Sequence, residues 1–533
     1  MKALRVLLLA VVSVTFVACG GSDDSEPSVP TLHRGLNTDP ESLDLHKLRS
    51  TQAGEILRDI SEGLTTYSAT GELVPGTAET WTVSDDGLIY TFTIRENARW
   101  SNGDPVTAEH FAVAWRRLVT PATAAFNAHQ AEAVVNATAI VAGELPSSEL
   151  GVTAVDERTL VVTLSRPTAY FLSLLTYPSL FPLHPESLAE HGDAFSRPGN
   201  LVSNGAYRLE AWEPGSVIKL GRNEHYWNNA STAIDAVNHH VITQGMSELN
   251  RYRAGEIDIT SIIPPDSFAQ LREERPDEMY VAPYIGVYYY GFNLTKPPFK
   301  DNPQLRQALS MAIDRDTLVA KVTGRGELPA HSWVPPGVAN YEARRFSYAD
   351  MTQDERNAQA RRLYRDAGYD EQRPLEVEIR YNTSDEQQRV ALAIQSMWRE
   401  TLGFEATLIN EEFQVFLANM REAEVTQVFR SSWIGDYADA HTFLSIMQGD
   451  NPSNMPRYGN DEYDSLMRRA AEQLDPDLRR AYLEEAEREL LSDHPVIPIY
   501  FYVSKHLVSP RVKGWGDNVL DYHYSQHLSF ATD

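Results

Sequence analysis

The sequence predicts an α/β protein that folds as more than one domain. Its 533 residues exceed what one hydrophobic core usually organises, so about two or three domains are expected. At 375–410 a strand-like, a helix-like and a second strand-like segment follow one another, which is the order of a parallel α/β unit. Hydrophobic residues make up 42% and charged residues 23% of the chain, as in ordinary globular proteins.

The N-terminal residues have the pattern of an export signal. Two basic residues precede a short apolar run and then small residues before Cys19, the single cysteine of the chain. We expect 1–18 to be the signal peptide and the polar residues 19–30 to be a flexible tether. This pattern resembles the lipobox of bacterial lipoproteins, which implies that Cys19 is lipidated. The alternative is ordinary cleavage that leaves Cys19 as a free thiol.

Apolar residues at strand and helix spacing predict the regular elements in order. We expect strands at 88–96, 158–167, 215–223, 236–243, 287–293, 375–382, 404–410 and 496–508. We expect helices at 107–119, within 302–322, and at 357–368, 385–403, 461–474 and 476–493. Thr107 is the expected N-cap of the first helix, and Gly368 is expected to end the helix at 357–368.

Charge and motifs argue against several classes of function. The formal charge of −27 repels phosphate backbones, so nucleic acid is not an expected partner. The chain has no Gly-rich phosphate loop, HExxH, CxxC or GxSxG motif, and neither catalysis, a metal nor a cofactor is expected. His239 and His240 are neighbours in a predicted strand, so they point to opposite faces and cannot bind one ion together. Glu411 and Glu412 precede a predicted helix, where helix N-terminal charge is their expected role.

Aromatic residues beside isolated charges are the positive signal for function. The segments 287–293, 431–437 and 499–503 fit a binding cleft with aromatic walls, and core packing is the alternative. Asp436 lies among these aromatic residues, where a buried carboxylate is costly unless a cation or several donors meet it. Either Arg430 pairs with Asp436, or the cation arrives with a ligand.

Several segments together carry a resemblance to a known family. They occur in the family's order and read "SEGLTTYSATGELVPGTAETW", "WSNGDPVTAEHF", "LVSNGAYRLEAWEPG", "NEHYWNN", "NRYRAGEIDIT", "KPPFKDNPQLRQALSMAIDRDTLV" and "YNTSDEQQ". From about Leu32 to its C-terminus the chain resembles the solute-binding proteins of family 5, and especially the oligopeptide-binding proteins that serve ABC importers.

The resemblance implies a two-lobed periplasmic-binding-protein fold of the class II type with an extra α+β subdomain. Lobe one would combine 31–61, 183–285 and 504–533. The extra subdomain would be 62–182, and lobe two would be 286–503. Hinge closure around a ligand is the motion that the resemblance implies.

The resemblance also implies which residues bind a peptide. Asp436 would take the α-amino group, and the backbone around Ser432 and Ile434 would hold an extended peptide as an added strand does. The cleft would be lined by Trp433, Phe413, Asn382, Tyr500 and Tyr502.

The sequence departs from the family at the positions that meet the peptide C-terminus. Arg430 matches the arginine used for tripeptides, and Arg421 matches a second arginine nearby. The dipeptide lysine and the tetrapeptide histidine correspond to Thr323 and Gln387, and two acidic cleft positions correspond to Gly291 and Arg49. Arginines without acidic neighbours should bind a ligand carboxylate more readily. We therefore expect a preference for peptides of about three residues or for acidic and cell-wall peptides; the alternative is a generic oligopeptide binder with Arg49 in solvent.

The resemblance implies partners and a location. The partners would be short peptides and an ABC transporter permease, with the membrane contacted only through a lipid anchor. The protein would be a monomer in the periplasm or at the cell surface. A peptide receptor without transport, a family member that carries nickel, haem or a sugar, and an enzyme are the alternatives.

Overall fold

The computed structural model describes residues 29–423 and 426–531. The predicted signal peptide, the predicted lipidation site Cys19 and residues 19–28 of the predicted tether lie outside these ranges. Within the described ranges, no helix is long and apolar enough to cross a membrane.

The regular elements are named here in chain order. The strands are β1 Thr31–Leu36, β2 Thr65–Tyr67, β3 Leu73–Pro75, β4 Ala78–Val83, β5 Ile89–Ile94, β6 Val152–Ala154, β7 Thr159–Thr163, β8 Tyr207–Glu213, β9 Val217–Arg222, β10 Ala236–Val241, β11 Met279–Phe292, β12 Leu328–Pro329, β13 Glu378–Asn382, β14 Thr407–Glu411, β15 Val428–Ile434, β16 Val496–Leu507, β17 Val512–Lys513 and β18 Ser529–Phe530. The α-helices are α1 Thr51–Ile60, α2 Ala108–Val119, α3 Ala137–Val141, α4 Phe171–Leu174, α5 Pro185–His191, α6 Gly245–Arg253, α7 Phe268–Glu274, α8 Pro303–Met311, α9 Arg315–Thr317, α10 Gln353–Asp366, α11 Asp385–Leu402, α12 Phe413–Glu422, α13 His441–Leu444, α14 Asp461–Glu472 and α15 Pro476–Asp493.

A six-stranded sheet in the order β12-β16-β11-β15-β13-β14 forms the centre of the C-terminal half. β11 pairs antiparallel with β16 on one edge and with β15 on the other. β13 and β14 are parallel and are joined by α11, which confirms the α/β unit predicted at 375–410. The strand predicted at 287–293 is much longer, because β11 begins at Met279 and pairs along nearly all of β16.

Two further sheets belong to the N-terminal half. One has the order β1-β10-β9-β8, with β1 parallel to β10 and the other neighbours antiparallel. The second is antiparallel, has the order β4-β5-β7-β6, and packs against α2. The predicted pair at 215–223 and 236–243 is therefore confirmed as β9 and β10.

The buried side chains form two large clusters. One surrounds the six-stranded sheet and includes Tyr289, Trp333 and Trp398, all of which are fully buried. The second joins the two N-terminal sheets in one core, which includes Leu32 and Trp115. The segment predicted as an extra subdomain thus shares its hydrophobic core with the sheet of β1 and β10.

Local capping decides where the predicted helices begin and end. Thr107 is the N-cap of α2, as expected. α10 begins at Gln353, four residues before the predicted start, because Thr352 and Glu355 form a capping box there. Gly368, two residues beyond the last residue of α10, adopts a φ of +93°, a conformation that favours glycine.

Gly291 is enclosed by the core of the six-stranded sheet. It pairs with Phe429 across β11 and β15, and an added Cβ would lie 2.3 Å from Cζ of the Phe429 ring. Phe429 is itself 1% exposed, so its ring has little room to move. A larger residue at 291 would collide with this ring, so the packing of Phe429 favours a glycine at this position.

We expect Gly291→Ala to lower the free energy of unfolding by about 1–3 kcal/mol, because the added methyl group overpacks the sheet against Phe429. The urea midpoint of the variant measures the effect. Gly459→Ala is the matched control, since an added Cβ there has no atom within 4 Å. Equal midpoints for the two variants would contradict this account.

Candidate functional site

A cavity of about 400 Å³ brings distant parts of the chain together. Its walls include Arg49 and Arg58 from the N-terminal region, Tyr284 from β11, and Ile434 and Asp436 from the end of β15 and the residues after it. A second cavity of about 540 Å³ also reaches Asp436, together with Trp433. Asp436 therefore stands where the two cavities meet.

The carboxylate of Asp436 has no protein partner among the described residues. The backbone N–H of Asp436 donates to Thr442 Oγ1 at 3.2 Å, but no hydrogen bond or ion pair involves its carboxylate oxygens within 29–423 and 426–531. Desolvation by the surrounding protein raises the pKa of Asp436, and the nearby His129 opposes this shift. The carboxylate nevertheless stays accessible from the cleft. An anion in this setting is suited to a cation supplied from outside the protein.

Arg430 does not pair with Asp436. Its Nε donates to Gln387 Oε1 at 3.1 Å, and its guanidinium carbon lies 5.2 Å from the centre of the Tyr288 ring. Nearby tyrosines raise the pKa of Arg430 against its burial. No carboxylate forms an ion pair with Arg430 in the part of the chain that the structure describes. Of the two possibilities that the sequence left open, the geometry favours a cation that arrives with a ligand.

One edge of β15 is open beside Asp436. β13 pairs with β15 only at Val428 and Phe429, whereas β11 pairs with the whole of β15 as far as Ile434. The backbone from Ser431 to Ile434 therefore has no strand on its second edge among the described residues. Ile434 is 39% exposed and lines the cavity. An extended chain can add to this edge by main-chain hydrogen bonds.

Arg49 and Arg58 also line this cavity and bring positive charge to it. Arg49 is exposed and lies over the Phe126 ring at 5.4 Å. Arg58 lies flat on Tyr522, with its guanidinium carbon 3.5 Å from the ring centre, and its Nε has no hydrogen-bond partner. Neither arginine forms an ion pair with a carboxylate of the described chain. Arg58 was not identified from the sequence, because an arginine in an amphipathic helix is ordinarily expected to face solvent.

Two other basic residues are not free in this cavity. Arg421 is exposed at the far end of α12 from Phe413, roughly 12 Å along the helix axis, and lines neither cavity. Arg325 donates to Glu386 at 2.6 Å and also approaches Glu327, whose second partner is Lys505. The charge of Arg325 is therefore neutralised within the protein.

The remaining predicted cleft residues differ in their exposure. Phe413 is 46% exposed, Tyr502 is half-buried, and Asn382 carries a buried Oδ1 without a hydrogen-bond partner. Tyr500 is only 1% exposed and stacks on Tyr288 at 4.5 Å between ring centres. Tyr500 therefore packs against Tyr288 and lines neither of the two cavities.

The two histidines lie on opposite faces of β10 as predicted, and of the two neighbouring glutamates Glu412 caps a helix whereas Glu411 ends β14. His240 contacts His33 at 3.0 Å, while His239 is fully buried and approaches Asp59, so the two rings do point to opposite faces. The Glu412 side chain accepts from the backbone of Gln414 and Val415 as the N-cap of α12, and Glu411 pairs with Arg380.

We expect Asp436→Asn to stabilise the unliganded protein at neutral pH. The raised pKa means that ionisation of Asp436 destabilises the folded state. This cost is absent below the ordinary carboxyl pKa, grows as pH rises toward the raised pKa of the folded state, and is constant above it. The gain should stay below about 1 kcal/mol, because the carboxylate keeps access to water. Thermal unfolding at acidic and neutral pH measures it, and a gain at neutral pH only is expected.

Asp439→Asn provides the opposite control. Asp439 accepts two hydrogen bonds of 2.8 Å from Arg479, so its removal should destabilise the protein at neutral pH. A loss of stability in both variants would show that Asp436 has a protein partner after all.

Comparison with known proteins identifies the family. The family model described as bacterial extracellular solute-binding proteins, family 5 middle, matches residues 72–455. The periplasmic oligopeptide-binding protein OppA of Escherichia coli is 37% identical over 502 residues, which cover 93% of this chain and 92% of that protein.

Comparison with solved structures gives the same result. The unliganded open form of the periplasmic murein tripeptide binding protein MppA matches with a TM-score of 0.87 at 36% identity, covering 94% of this chain and 98% of that chain. Haemophilus influenzae OppA in complex with RPPGFSPFR matches with a TM-score of 0.75 at 35% identity, covering 94% and 99%. The predicted two-lobed periplasmic-binding-protein fold is confirmed, and the chain belongs to the bacterial extracellular solute-binding proteins of family 5.

Proposed function

We propose that this protein captures short peptides between its two lobes and delivers them to an ABC importer. The observation that carries the proposal is the unpaired carboxylate of Asp436 beside the open edge of β15. The relatives named for oligopeptide and murein tripeptide binding support the class of ligand. The peptide N-terminus, its main chain and its C-terminal carboxylate would each find a binding partner in the cleft.

The peptide α-ammonium group is the cation that Asp436 lacks. A carboxylate that is desolvated and has no protein donor gains a charge-assisted hydrogen bond when an ammonium group enters. Lobe closure would remove the remaining water from Asp436 and strengthen this attraction. The His129 ring lies close enough to influence the carboxylate, but it forms no ion pair with Asp436 and leaves it open to the ligand.

The peptide main chain would add to β15 as a further strand. Ser432 and Ile434 lie on the open edge and would exchange N–H and C=O hydrogen bonds with it. Asn382, at the end of β13 where the two strands separate, has an Oδ1 free to accept from the peptide backbone. Trp433 and Phe413 would flank the side chains, with Tyr502 beside them. Main-chain recognition of this kind gives affinity with low sequence selectivity.

Arg49, Arg58 and Arg430, which form no ion pair with a described carboxylate, support a preference for acidic ligands and for peptides of about three residues. Arg430 would meet the C-terminal carboxylate of a tripeptide, and Arg49 and Arg58 would attract further carboxylates. Because no carboxylate in 29–423 or 426–531 forms an ion pair with any of the three, each can form a bidentate pair with the ligand. A murein tripeptide carries the extra carboxylates that such a cleft favours.

The location and lobe boundaries complete the proposal. Residues 1–18 would be removed on export, Cys19 would carry the lipid, and 19–30 would tether the monomer to the membrane outside the cytoplasm. The lobes would be 31–61, 183–285 and 504–533 on one side and 286–503 on the other, with 62–182 as the extra subdomain. β11 and β16 would then carry the chain across both hinges.

We expect Asp436→Asn to weaken the binding of a peptide with a free N-terminus by about 30-fold or more, because the peptide ammonium group is left unpaired. Isothermal titration calorimetry with tri-alanine measures the loss. N-acetyl-tri-alanine should bind the unaltered protein weakly, and Asp436→Asn should cost it little more.

Asp450→Asn is the control for charge alone, because Asp450 lines the second cavity without being assigned a ligand contact. Additive losses for the acetyl group and for Asp436→Asn would contradict the proposed ion pair. No binding of any peptide in a mixed pool would contradict the function itself.

We expect Ala-Glu-Ala to bind at least about tenfold more tightly than Ala-Lys-Ala, since the cleft offers unpaired guanidinium groups. Arg49→Gln and Arg58→Gln should each reduce this ratio. Arg421→Gln should leave it unchanged, because Arg421 lies away from both cavities. Equal affinities for the two peptides would identify a generic oligopeptide binder.

A further inference from the structure

His506, Asp521 and His523 form a cluster on the wall of the 400 Å³ cavity that Arg49 and Arg58 also line. Nε2 of His506 and Nε2 of His523 each lie 2.9 Å from Oδ1 of Asp521. The three ligand-type atoms lie within 4.8 Å of one another, and all three residues are half-buried and line the cavity. Within 29–423 and 426–531, this is the one group of three or more histidine, cysteine or carboxylate side chains that meets these limits.

The surroundings of His506 fix the direction of its Nε2 atom. Nδ1 lies 2.8 Å from the carbonyl oxygen of Thr260, and because a carbonyl only accepts, Nδ1 carries the proton. Thr260 is itself held by two hydrogen bonds to Leu507, the residue after His506. Histidines that bind metals commonly donate their second ring N–H to a backbone carbonyl in this way.

The surroundings of His523 restrict its ring as well. Trp515 stacks on it with 3.6 Å between ring centres and 17° between planes. The His506 and His523 rings stand at 77° to each other, 5.5 Å apart, and both direct Nε2 toward the same carboxylate oxygen. Two imidazole nitrogens and one carboxylate oxygen thus converge from three directions.

We propose that His506, Asp521 and His523 bind a divalent transition metal ion of the zinc class at the wall of the cleft. Two nitrogen donors and one oxygen donor suit Zn²⁺, and ligand atoms about 2.0–2.2 Å from a tetrahedral ion would be roughly 3.4 Å apart. The two N···O separations of 2.9 Å would therefore open by about half an ångström when the ion replaces the hydrogen bonds. Because all three residues line the cavity, an ion can reach them from it. This site does not depend on the proposed peptide function.

The simplest competing account is an ion pair without metal. The cluster joins β16 to the C-terminal segment, so a protonated His506 paired with Asp521 would also link these two parts of the chain. The two accounts differ in what removal of His523 does. A metal site loses one of three ligands, whereas the ion pair between His506 and Asp521 remains.

Purified protein freed of metal by a chelator should bind one equivalent of Zn²⁺ in competition with a chromophoric zinc chelator. His523→Ala and Asp521→Asn should each weaken Zn²⁺ binding by about tenfold or more. His191→Ala, which removes a histidine outside the cluster, should leave the affinity unchanged. Co²⁺ in the same site should give the visible absorption of a four-coordinate ion.

A variant that keeps all three ligands distinguishes the loss of a metal ligand from the loss of the fold. Bound Co²⁺ should quench the fluorescence of Trp515, which stacks on His523. Trp515→Phe should remove that quenching and retain Zn²⁺ binding. Zinc binding that is absent, or that none of the cluster variants alters, would overturn the proposal and leave the ion pair as the role of these residues.

Discussion

The antiparallel pairing of β11 with β16 is the interaction on which the cleft depends. It runs from Met279 opposite Leu507 to Gly291 opposite Val496, with register shifts on the way. β15 pairs with the other edge of β11 as far as Gly286, and Gly435 then donates to the Ile285 carbonyl at 2.8 Å. Directly after that bond the chain leaves the sheet, so the register of β11 determines where the Asp436 carboxylate emerges.

The fold was predictable from the sequence where local pattern and capping decide it. The parallel unit of β13, α11 and β14, the pair β9 and β10, and the N-cap Thr107 follow from periodicity and side-chain chemistry. The start of α10 was missed because a capping box extended the helix beyond its apolar pattern. The length of β11 was missed because strand length depends on the partner strand, which a single segment does not reveal.

The candidate site was predictable in part. Asp436 stood out because a carboxylate among aromatic residues needs a partner, and among the described residues its carboxylate has none. Arg58 was not predictable, because the Tyr522 ring on which it lies is hundreds of residues away along the chain. The cluster around Asp521 is local in sequence, but its spacing matches none of the metal-binding motifs considered. The net charge of −27 did not predict the charge of the cavity. Arg49 and Arg58 line it without an ion pair to any described carboxylate, because the local potential depends on local pairing.

The open edge of β15 has a consequence for the behaviour of the empty protein in solution. Unpaired strand edges are templates for association between molecules, and proteins usually block them with charges, prolines or covering segments. Here the backbone of Ser431–Ile434, which no described strand pairs on its second edge, begins where β13 diverges and ends at the cavity lined by Ile434 and Asp436. A single extended chain can reach such an edge, but the edge of another folded sheet is too bulky to do so. We therefore expect this recessed position to protect the empty protein from association through strand edges.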